Sequence, residues 1–250
     1  MPRTLRALLA GLLAGLLAGL LAAAVAGCST SAARGRTASS STGSAGSAPT
    51  QPAPAAAGDG SALAALEQLA VKGRAPKTGY SRSQFGPAWS DVDHNGCDTR
   101  NDILNRDLTD KQWRAGTHGC VVIAGVLADP YSGRTIRFAK ATASAVQIDH
   151  VVALGDAWQT GAQQLDAATR LRFANDPLEL LAVDGPTNQR KGDGDAATWL
   201  PPDKGFRCRY VARQVTVKAA YGLWVTPAEH DAIARVLRSC PHEPLAVGSP

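Results

Sequence analysis

A sharp change in composition near residue 60 confines any folded domain to the rest of this chain. Residues 29–60 consist almost entirely of Ser, Ala, Gly, Thr, Pro and Gln, which cannot bury enough apolar surface to offset the entropy of an ordered chain. We therefore expect a flexible linker over 29–60 and one domain over 61–250, long enough to bury a substantial core. That domain holds 22 Lys and Arg against 20 Asp and Glu. Its near-neutral charge excludes a polybasic protein that coats nucleic acid.

The amino terminus has the pattern of an export signal. Arg3 and Arg6 precede an uninterrupted apolar run over residues 7–26. A Val-Ala-Gly-Cys sequence overlaps the end of this run and finishes at Cys28. This ending is typical of a bacterial lipobox, in which the cysteine is lipidated, so we expect a signal peptide over 1–28 and a lipid anchor on the cysteine. The run is also nearly long enough to stay in a bilayer as a helix. Both interpretations place the domain outside the cytoplasm, secreted or tethered to a membrane.

Four cysteines remain in the domain, and outside the cytoplasm an even number indicates disulfides. The apolar spacing predicts a helix that begins near Cys208, and a capping box at 226–229 starts a second helix that ends near Cys240. Antiparallel packing of these helices brings Cys208 beside Cys240, which leaves Cys97 to pair with Cys120. Zinc binding is the alternative, but the chain has no CxxC or HxxxH spacing to support it.

The rest of the domain alternates between helical and strand-like patterns, which predicts an α+β fold. The expected elements are, in order, a helix at 102–108, strands at 120–127, 135–138 and 146–152, a helix at 166–174, a short apolar run at 178–183 and the two C-terminal helices. The first two strands flank a turn and form an N-terminal β-hairpin, while the last two helices form an antiparallel helical hairpin.

Two segments carry the residues best suited to catalysis. The first, 147–154, contains Asp149 next to His150, and a carboxylate beside an imidazole suits a divalent metal next to a general base. The second, 180–193, contains a short strand, a tight turn and a helix start. Its candidate contacts to a metal and to phosphate are Asn188, Lys191 and Arg190.

Taken together, these segments resemble the His-Asn-His (HNH) endonucleases, in particular the branch found in secreted bacterial nucleases and at the C-terminus of GmrSD-type restriction enzymes. Five motifs of that branch occur here in order, namely Asp-His-Val-Val-Ala-Leu, Phe-Ala-Asn-Asp, Leu-Leu-Ala-Val, Asn-Gln-Arg-Lys-Gly-Asp and Trp-Leu-Pro-Pro, at 149–154, 173–176, 180–183, 188–193 and 199–202. The motif region covers 146–202, and the similarity continues over most of 78–240. The resemblance implies a ββα-metal core, in which a β-hairpin and a helix hold one metal ion.

Carried onto this chain, the resemblance makes His150 the general base and assigns the metal to Asp149 and Asn188. The family's central asparagine, which orients the base, is replaced here by Glu179, and Asn175 lies nearby as an alternative. A glutamate in this place accepts the ring N–H and raises the histidine pKa. Mg²⁺ is the expected metal, with Mn²⁺, Ni²⁺ or Zn²⁺ as alternatives.

An acidic loop earlier in the chain has two interpretations. Asp91, Asp93 and Asn95 stand at the first ligand positions of a calcium loop, and Asp102 stands at its last. The same residues also suit an ordinary turn that leads into a capped helix. Structural Ca²⁺ is therefore an expectation that needs a direct test.

The sequence thus predicts an extracytoplasmic, metal-dependent endonuclease that hydrolyses DNA with weak sequence specificity, because a near-neutral domain neutralises few phosphates. Double-stranded DNA is the expected substrate, with single strands or RNA as alternatives. Two other functions fit the same residues. One is a surface-binding lipoprotein that has a nuclease fold but no catalytic activity, which the replacement of the central asparagine by Glu179 would allow. The other is a phosphodiesterase that acts on small molecules. No protein partner can be inferred.

Overall fold

The computed structural model describes residues 60–248, so the predicted signal peptide, Cys28 and the linker up to residue 59 lie outside the described part. That part mixes helices with two small antiparallel sheets, which confirms the α+β class. The helices are α1 (Ala62–Leu66), α2 (Thr99–Asp107), α3 (Leu154–Gln159), α4 (Ala167–Ala174), α5 (Gly185–Lys191), α6 (Arg207–Ala220) and α7 (Pro227–Leu237). The strands are β1 (Leu108–Trp113), β2 (Val122–Ala128), β3 (Thr135–Ala139), β4 (Val146–His150) and β5 (Leu180–Asp184). None of the described helices is long and apolar enough to cross a membrane.

The first sheet has the strand order β1-β2-β3. Its β2–β3 hairpin is the one predicted from the sequence, and Ala128 lies opposite Thr135 at its closed end. The carboxylate of Asp129 stabilises the turn, because it accepts backbone N–H bonds from Tyr131 and Ser132. The turn thereby holds Tyr131 close to β4.

The sequence does not predict strand β1, which directly follows α2. Its residues are mostly polar and exposed, apart from the buried Leu108, so they lack the alternation typical of a strand. The pairing with β2 is irregular, and Asp110 has a positive φ of 48°. An edge strand of this kind is defined by its partner strand and not by its own composition.

The second sheet is the β4–β5 ribbon, which carries the candidate site and is buried on both faces. Leu181 and Val183 belong to a large hydrophobic cluster that includes residues of α1, α6 and α7. Leu180 and Ala182 belong to a smaller cluster that includes residues of α2, β2 and β3. Because both faces are covered, β5 is a continuous apolar run instead of an alternating one.

The predicted C-terminal helical hairpin is formed by α6 and α7, which pack against each other and against α1. Helix α7 begins with a capping box, in which Thr226 and Glu229 each bond to the other's backbone N–H. The apolar stripe of each helix then faces the large cluster, with Val215 and Ile233 fully buried.

Both predicted disulfides are present. Cys97–Cys120 joins the segment before α2 to the segment before β2, and Cys208–Cys240 joins the start of α6 to the segment after α7.

Replacing the second bond, in the variant Cys208→Ala/Cys240→Ala, is expected to lower the free energy of unfolding by about 3–4 kcal/mol. The bond spans a sequence separation of 32 residues and restricts the unfolded chain accordingly. Urea unfolding of the oxidised proteins measures the change. An unfolding midpoint equal to that of the wild type would contradict this expectation.

A buried network of charges ties α6 and α7 to α3 and to the segments around it. The ammonium of Lys218 lies 3.2 Å from Asp156 Oδ2 and 2.7 Å from Glu229 Oε1. Arg74 joins Asp156 to Asp195, at distances of 2.8 and 2.7 Å. Three carboxylates thus face two cations. Burial of this excess negative charge raises the pKa of Glu229 to about 7.

The raised pKa of Glu229 predicts a pH-dependent stability. The folded state binds this proton more tightly than the unfolded state, so the free energy of unfolding falls as pH rises from about 4.5 to about 7, by up to about 3 kcal/mol. Glu229→Gln is expected to remove this decrease in the free energy of unfolding. Urea unfolding below pH 4.5 and above pH 7 measures the decrease in each protein. Glu67→Gln, at an exposed position, is the control that should keep the fall. An equal fall in Glu229→Gln and wild type would contradict the assignment.

Candidate active site

Three residues predicted to carry the chemistry meet in one pocket of about 190 Å³. Asp149 and His150 reach it from the end of β4, and Asn188 reaches it from α5. Strand β5 pairs with β4 and leads directly into α5, so strand pairing joins two segments that are distant in sequence. The other residues that line the pocket are Arg82, Ile148, Ala153, Leu154, Gly192 and Asp193.

The surroundings of His150 keep its imidazole neutral. Its Nε2 lies 3.0 Å from the carbonyl oxygen of Ala174, which can only accept, so Nε2 carries the proton and Nδ1 keeps a lone pair. Burial, assisted by the positive charges of Arg82 and Lys191, lowers the pKa of His150 to about 3, so the rise predicted from Glu179 is wrong. The indole of Trp89 stacks on the ring, with centroids 6.0 Å apart. A neutral imidazole with a lone pair on Nδ1 can accept a proton, as a general base must.

Within the described residues, neither Glu179 nor Asn175 bonds to the ring of His150, so the orienting role predicted for them is wrong. Glu179 is fully buried, and both its carboxylate oxygens lie 3.2 Å from the backbone nitrogen of Val152. Asn175 donates from Nδ2 to a backbone carbonyl of α4, at 2.9 Å. The group that bonds to the ring is the carbonyl of Ala174, the last residue of α4, which is available because the final carbonyls of a helix lack intrahelical partners. A backbone carbonyl has no signature in the sequence.

Asp149 is held by two buried groups. Its Oδ1 lies 2.9 Å from the ammonium of Lys191, and its Oδ2 accepts a hydrogen bond from the hydroxyl of Tyr131. The same ammonium bonds to the carbonyl of His150, at 2.6 Å. Burial raises the pKa of Asp149, although Lys191 and Tyr131 oppose the rise. The side chain of Lys191 is fully buried, so its predicted contact with phosphate is wrong, and it positions Asp149 instead.

Helix α5 brings Asn188 to the pocket because it begins unusually close to the segment before β4. A Cβ at Gly185 would lie 1.9 Å from the carbonyl oxygen of Ser144, so only glycine fits at this helix start. Asn188 Nδ2 donates to Gln147 Oε1 at 3.0 Å. In this arrangement the amide nitrogen of Asn188 is bonded within the protein, and its amide oxygen is left to accept a ligand.

Two charged residues outside the predicted set also line the pocket. Asp193 pairs with Lys77 at 2.6 Å, and it lies in a motif already identified at 188–193, so the sequence contained a signal for it. Arg82 starts a 3-10 turn (Arg82–Phe85) far upstream, where no motif marks it. Arg190, predicted to contact phosphate, is exposed and bonds to the hydroxyl of Thr187 at 2.7 Å.

The acidic loop gathers the side chains predicted to bind calcium. The Asn95 amide donates to Asp93 Oδ2 and to Asp102 Oδ1, at 3.0 and 3.3 Å. Asp91 accepts backbone N–H bonds from Asn95 and Gly96, at 3.1 and 3.0 Å. Hydrogen bonds thus link the acidic side chains through Asn95 and the loop backbone, and calcium binding by this loop stays a prediction.

Calorimetric titration with Ca²⁺ is expected to show saturable binding to the wild-type chain and none to Asp91→Ala. The first ligand position contributes both charge and geometry to a calcium loop. Asp231→Ala removes an exposed carboxylate outside the loop and should bind like the wild type. Identical heats for wild type and Asp91→Ala would dismiss the site.

The chain was also compared with known proteins. Residues 98–236 match the family of the C-terminal domain of GmrSD restriction endonucleases, and this region contains β4, β5 and α5. A relative from Arthroderma benhamiae, named as an uncharacterized secreted protein, is 37% identical over 182 residues, which cover 72% of this chain and 85% of the relative. No solved structure gives a significant match. The chain therefore belongs to the family of GmrSD restriction endonuclease C-terminal domains.

Proposed function

We propose that this domain is a metal-dependent endonuclease with a ββα-metal core formed by β4, β5 and α5, in which His150 is the general base. One observation carries the proposal. His150, with a lone pair on Nδ1, shares a single pocket with the oxygen donors of Asp149 and Asn188. Membership of a family of restriction endonuclease domains supports nucleic acid as the substrate.

The donors at the pocket suit a hard divalent cation. Asp149 and Asn188 are the proposed ligands, and each Asp149 oxygen has a second lone pair besides the one bonded to Lys191 or Tyr131. Asp193 offers a further carboxylate at the same pocket. Oxygen donors favour Mg²⁺, with Mn²⁺, Ni²⁺ and Zn²⁺ as the ions to compare. When bound, such an ion supplies charge that neutralises the scissile phosphate and stabilises the leaving 3′-oxygen.

The chain's own residues account for positioning and proton transfer. His150 Nδ1 accepts the proton of the attacking water, while the carbonyl of Ala174 holds the ring through Nε2. Lys191 links the Asp149 carboxylate to the backbone of β4, which keeps the two functional side chains in a constant relative position. Arg82 lies at the pocket and meets the phosphate. The products carry 5′-phosphate and 3′-hydroxyl ends.

DNA is the proposed substrate, with RNA as the alternative, and the near-neutral charge of the domain supports weak sequence discrimination. The proposed location is outside the cytoplasm, either secreted or held by a lipid on Cys28. Two disulfides support an oxidising compartment, and the relative from Arthroderma benhamiae is named as a secreted protein.

Incubating the full chain with plasmid DNA, RNA and a chromogenic phosphodiester tests this proposal, with Mg²⁺, Mn²⁺, Ni²⁺, Zn²⁺ or EDTA in parallel. We expect plasmid nicking with a divalent ion and none in EDTA. Cleavage of the small diester alone would identify a small-molecule phosphodiesterase instead. Binding of DNA without cleavage under every condition would identify a surface-binding protein without catalysis.

A further inference from the structure

A second pocket, of about 260 Å³, adjoins the candidate active site. It shares three lining residues with that site, Arg82, His150 and Leu154, so a ligand in one pocket is next to a ligand in the other. The remaining lining residues are Ser83, Phe85, Gly86, Pro87, Ala88, Trp89, Ala174 and Asn175.

The lining of this second pocket is mostly apolar and includes two aromatic rings. Phe85 is buried within the large hydrophobic cluster, and Trp89 is partly exposed and stacks on His150. Trp89 also has a positive φ of 59°, which is rare for a large side chain. The partly exposed indole of Trp89 is the aromatic surface in this lining that suits a flat, unsaturated ring.

Asn175 lines this pocket, and its Oδ1 is a buried polar atom without a partner within the described part of the chain. The amide orientation is settled by its Nδ2, which donates to the carbonyl of Leu171 at 2.9 Å, so Oδ1 is an acceptor that needs a donor. Buried acceptors are almost always satisfied in folded proteins. A ligand that offers an N–H group would satisfy this one.

We propose that the second pocket holds one unpaired nucleobase of the substrate, next to the scissile phosphate. The base stacks on the indole of Trp89 and donates an N–H from its Watson–Crick edge to Asn175 Oδ1. Arg82, which belongs to both pockets, contacts the phosphate between them. All four bases carry an N–H on that edge, so the pocket accepts any base, but the edge is free only where the base is unpaired.

This inference rests on the proposed nuclease function and narrows its substrate to single-stranded or locally opened nucleic acid, instead of the intact duplex expected from the sequence. The wall formed by residues 82–89 precedes the region 98–236 that matches the family. Part of the lining of the base pocket therefore lies outside the region that the family model matches.

The test compares two single-stranded DNA oligonucleotides of equal length, one with bases and one entirely abasic, so that phosphate charge is constant. Fluorescence anisotropy measures their binding to the full chain in EDTA. We expect the abasic strand to bind the wild type about tenfold more weakly, because stacking of one base contributes about that factor. Equal affinities for the two strands would overturn the proposal.

Variants that fill the pocket supply the matched comparison. Ala88 and Ser83 are exposed lining residues, so Ala88→Trp and Ser83→Trp occupy the pocket without disturbing the core. Both are expected to bind the two strands equally. Gln84→Trp adds the same side chain on the same turn, at an exposed residue that is not part of the pocket as described, and should keep the tenfold difference.

The outcomes separate this inference from the proposed function. If the wild type cleaves plasmid or oligonucleotide but binds both strands equally, the base pocket alone is overturned. A tenfold difference that survives in both Ala88→Trp and Ser83→Trp also overturns it, because the base is then recognised elsewhere. Absence of both cleavage and binding overturns the nuclease proposal and the pocket with it.

Discussion

Substitution of His150 by alanine abolishes metal-dependent nicking of plasmid DNA, with an expected loss in rate of about 10²–10⁴-fold. The variant lacks the Nδ1 lone pair that, in the proposed mechanism, accepts the proton of the attacking water. The hydrogen bond to the Ala174 carbonyl is lost at the same time. Initial nicking rates at saturating DNA and fixed Mg²⁺ measure the effect.

His242→Ala is the matched control, because His242 is exposed and distant in sequence from the pocket residues. It should cut plasmid at the wild-type rate. Circular dichroism and DNA-binding measurements on His150→Ala establish that the fold and substrate affinity remain. Undiminished nicking by a folded His150→Ala protein would refute the role of general base.

Replacing Lys218 by methionine is expected to lower the free energy of unfolding by about 3–5 kcal/mol, the largest stability change that we predict for a single side chain. Methionine has a similar length and fills the same space, so packing is nearly unchanged. Asp156 and Glu229, however, lose the buried ammonium that lies 3.2 and 2.7 Å from their oxygens. Of these two, Arg74 then contacts only Asp156, and the pKa of Glu229 rises further without the ammonium, so this carboxyl must bind a proton to stay buried. Urea unfolding at neutral pH measures the loss.

Two further variants separate charge from packing. Lys218→Met/Glu229→Gln removes one carboxylate together with the ammonium, and it should recover a large part of the lost stability. Lys204→Met makes the same chemical change at an exposed position and should unfold like the wild type. If the double variant is as unstable as Lys218→Met, the effect comes from packing and not from the unpaired charge.

Elements whose signals lie within a few consecutive residues were predictable from the sequence, and elements that depend on contacts between distant residues were not. Helix α7 was predictable because its capping box lies within four consecutive residues, and the β2–β3 hairpin because its turn residues stand between two apolar runs. Strand β1 was not predictable, because its polar residues form a strand only through pairing with β2. A side chain, Glu179 or Asn175, was predicted to bond to the ring of His150, but the bond is made by the backbone carbonyl of Ala174.

The amino-acid sequence by itself indicated the α+β class, the family and the pairing of the cysteines, and the family's motifs pointed to Asp149, His150 and Asn188 as one site. Only the tertiary structure decided how those side chains are held. The bonds from Tyr131 and Lys191 to Asp149, and the wall of the second pocket around Arg82 and Trp89, join residues far apart in the chain. Buried polar groups need hydrogen-bond partners, but tertiary packing decides which groups come within reach of one another. Local sequence patterns therefore do not predict the partners.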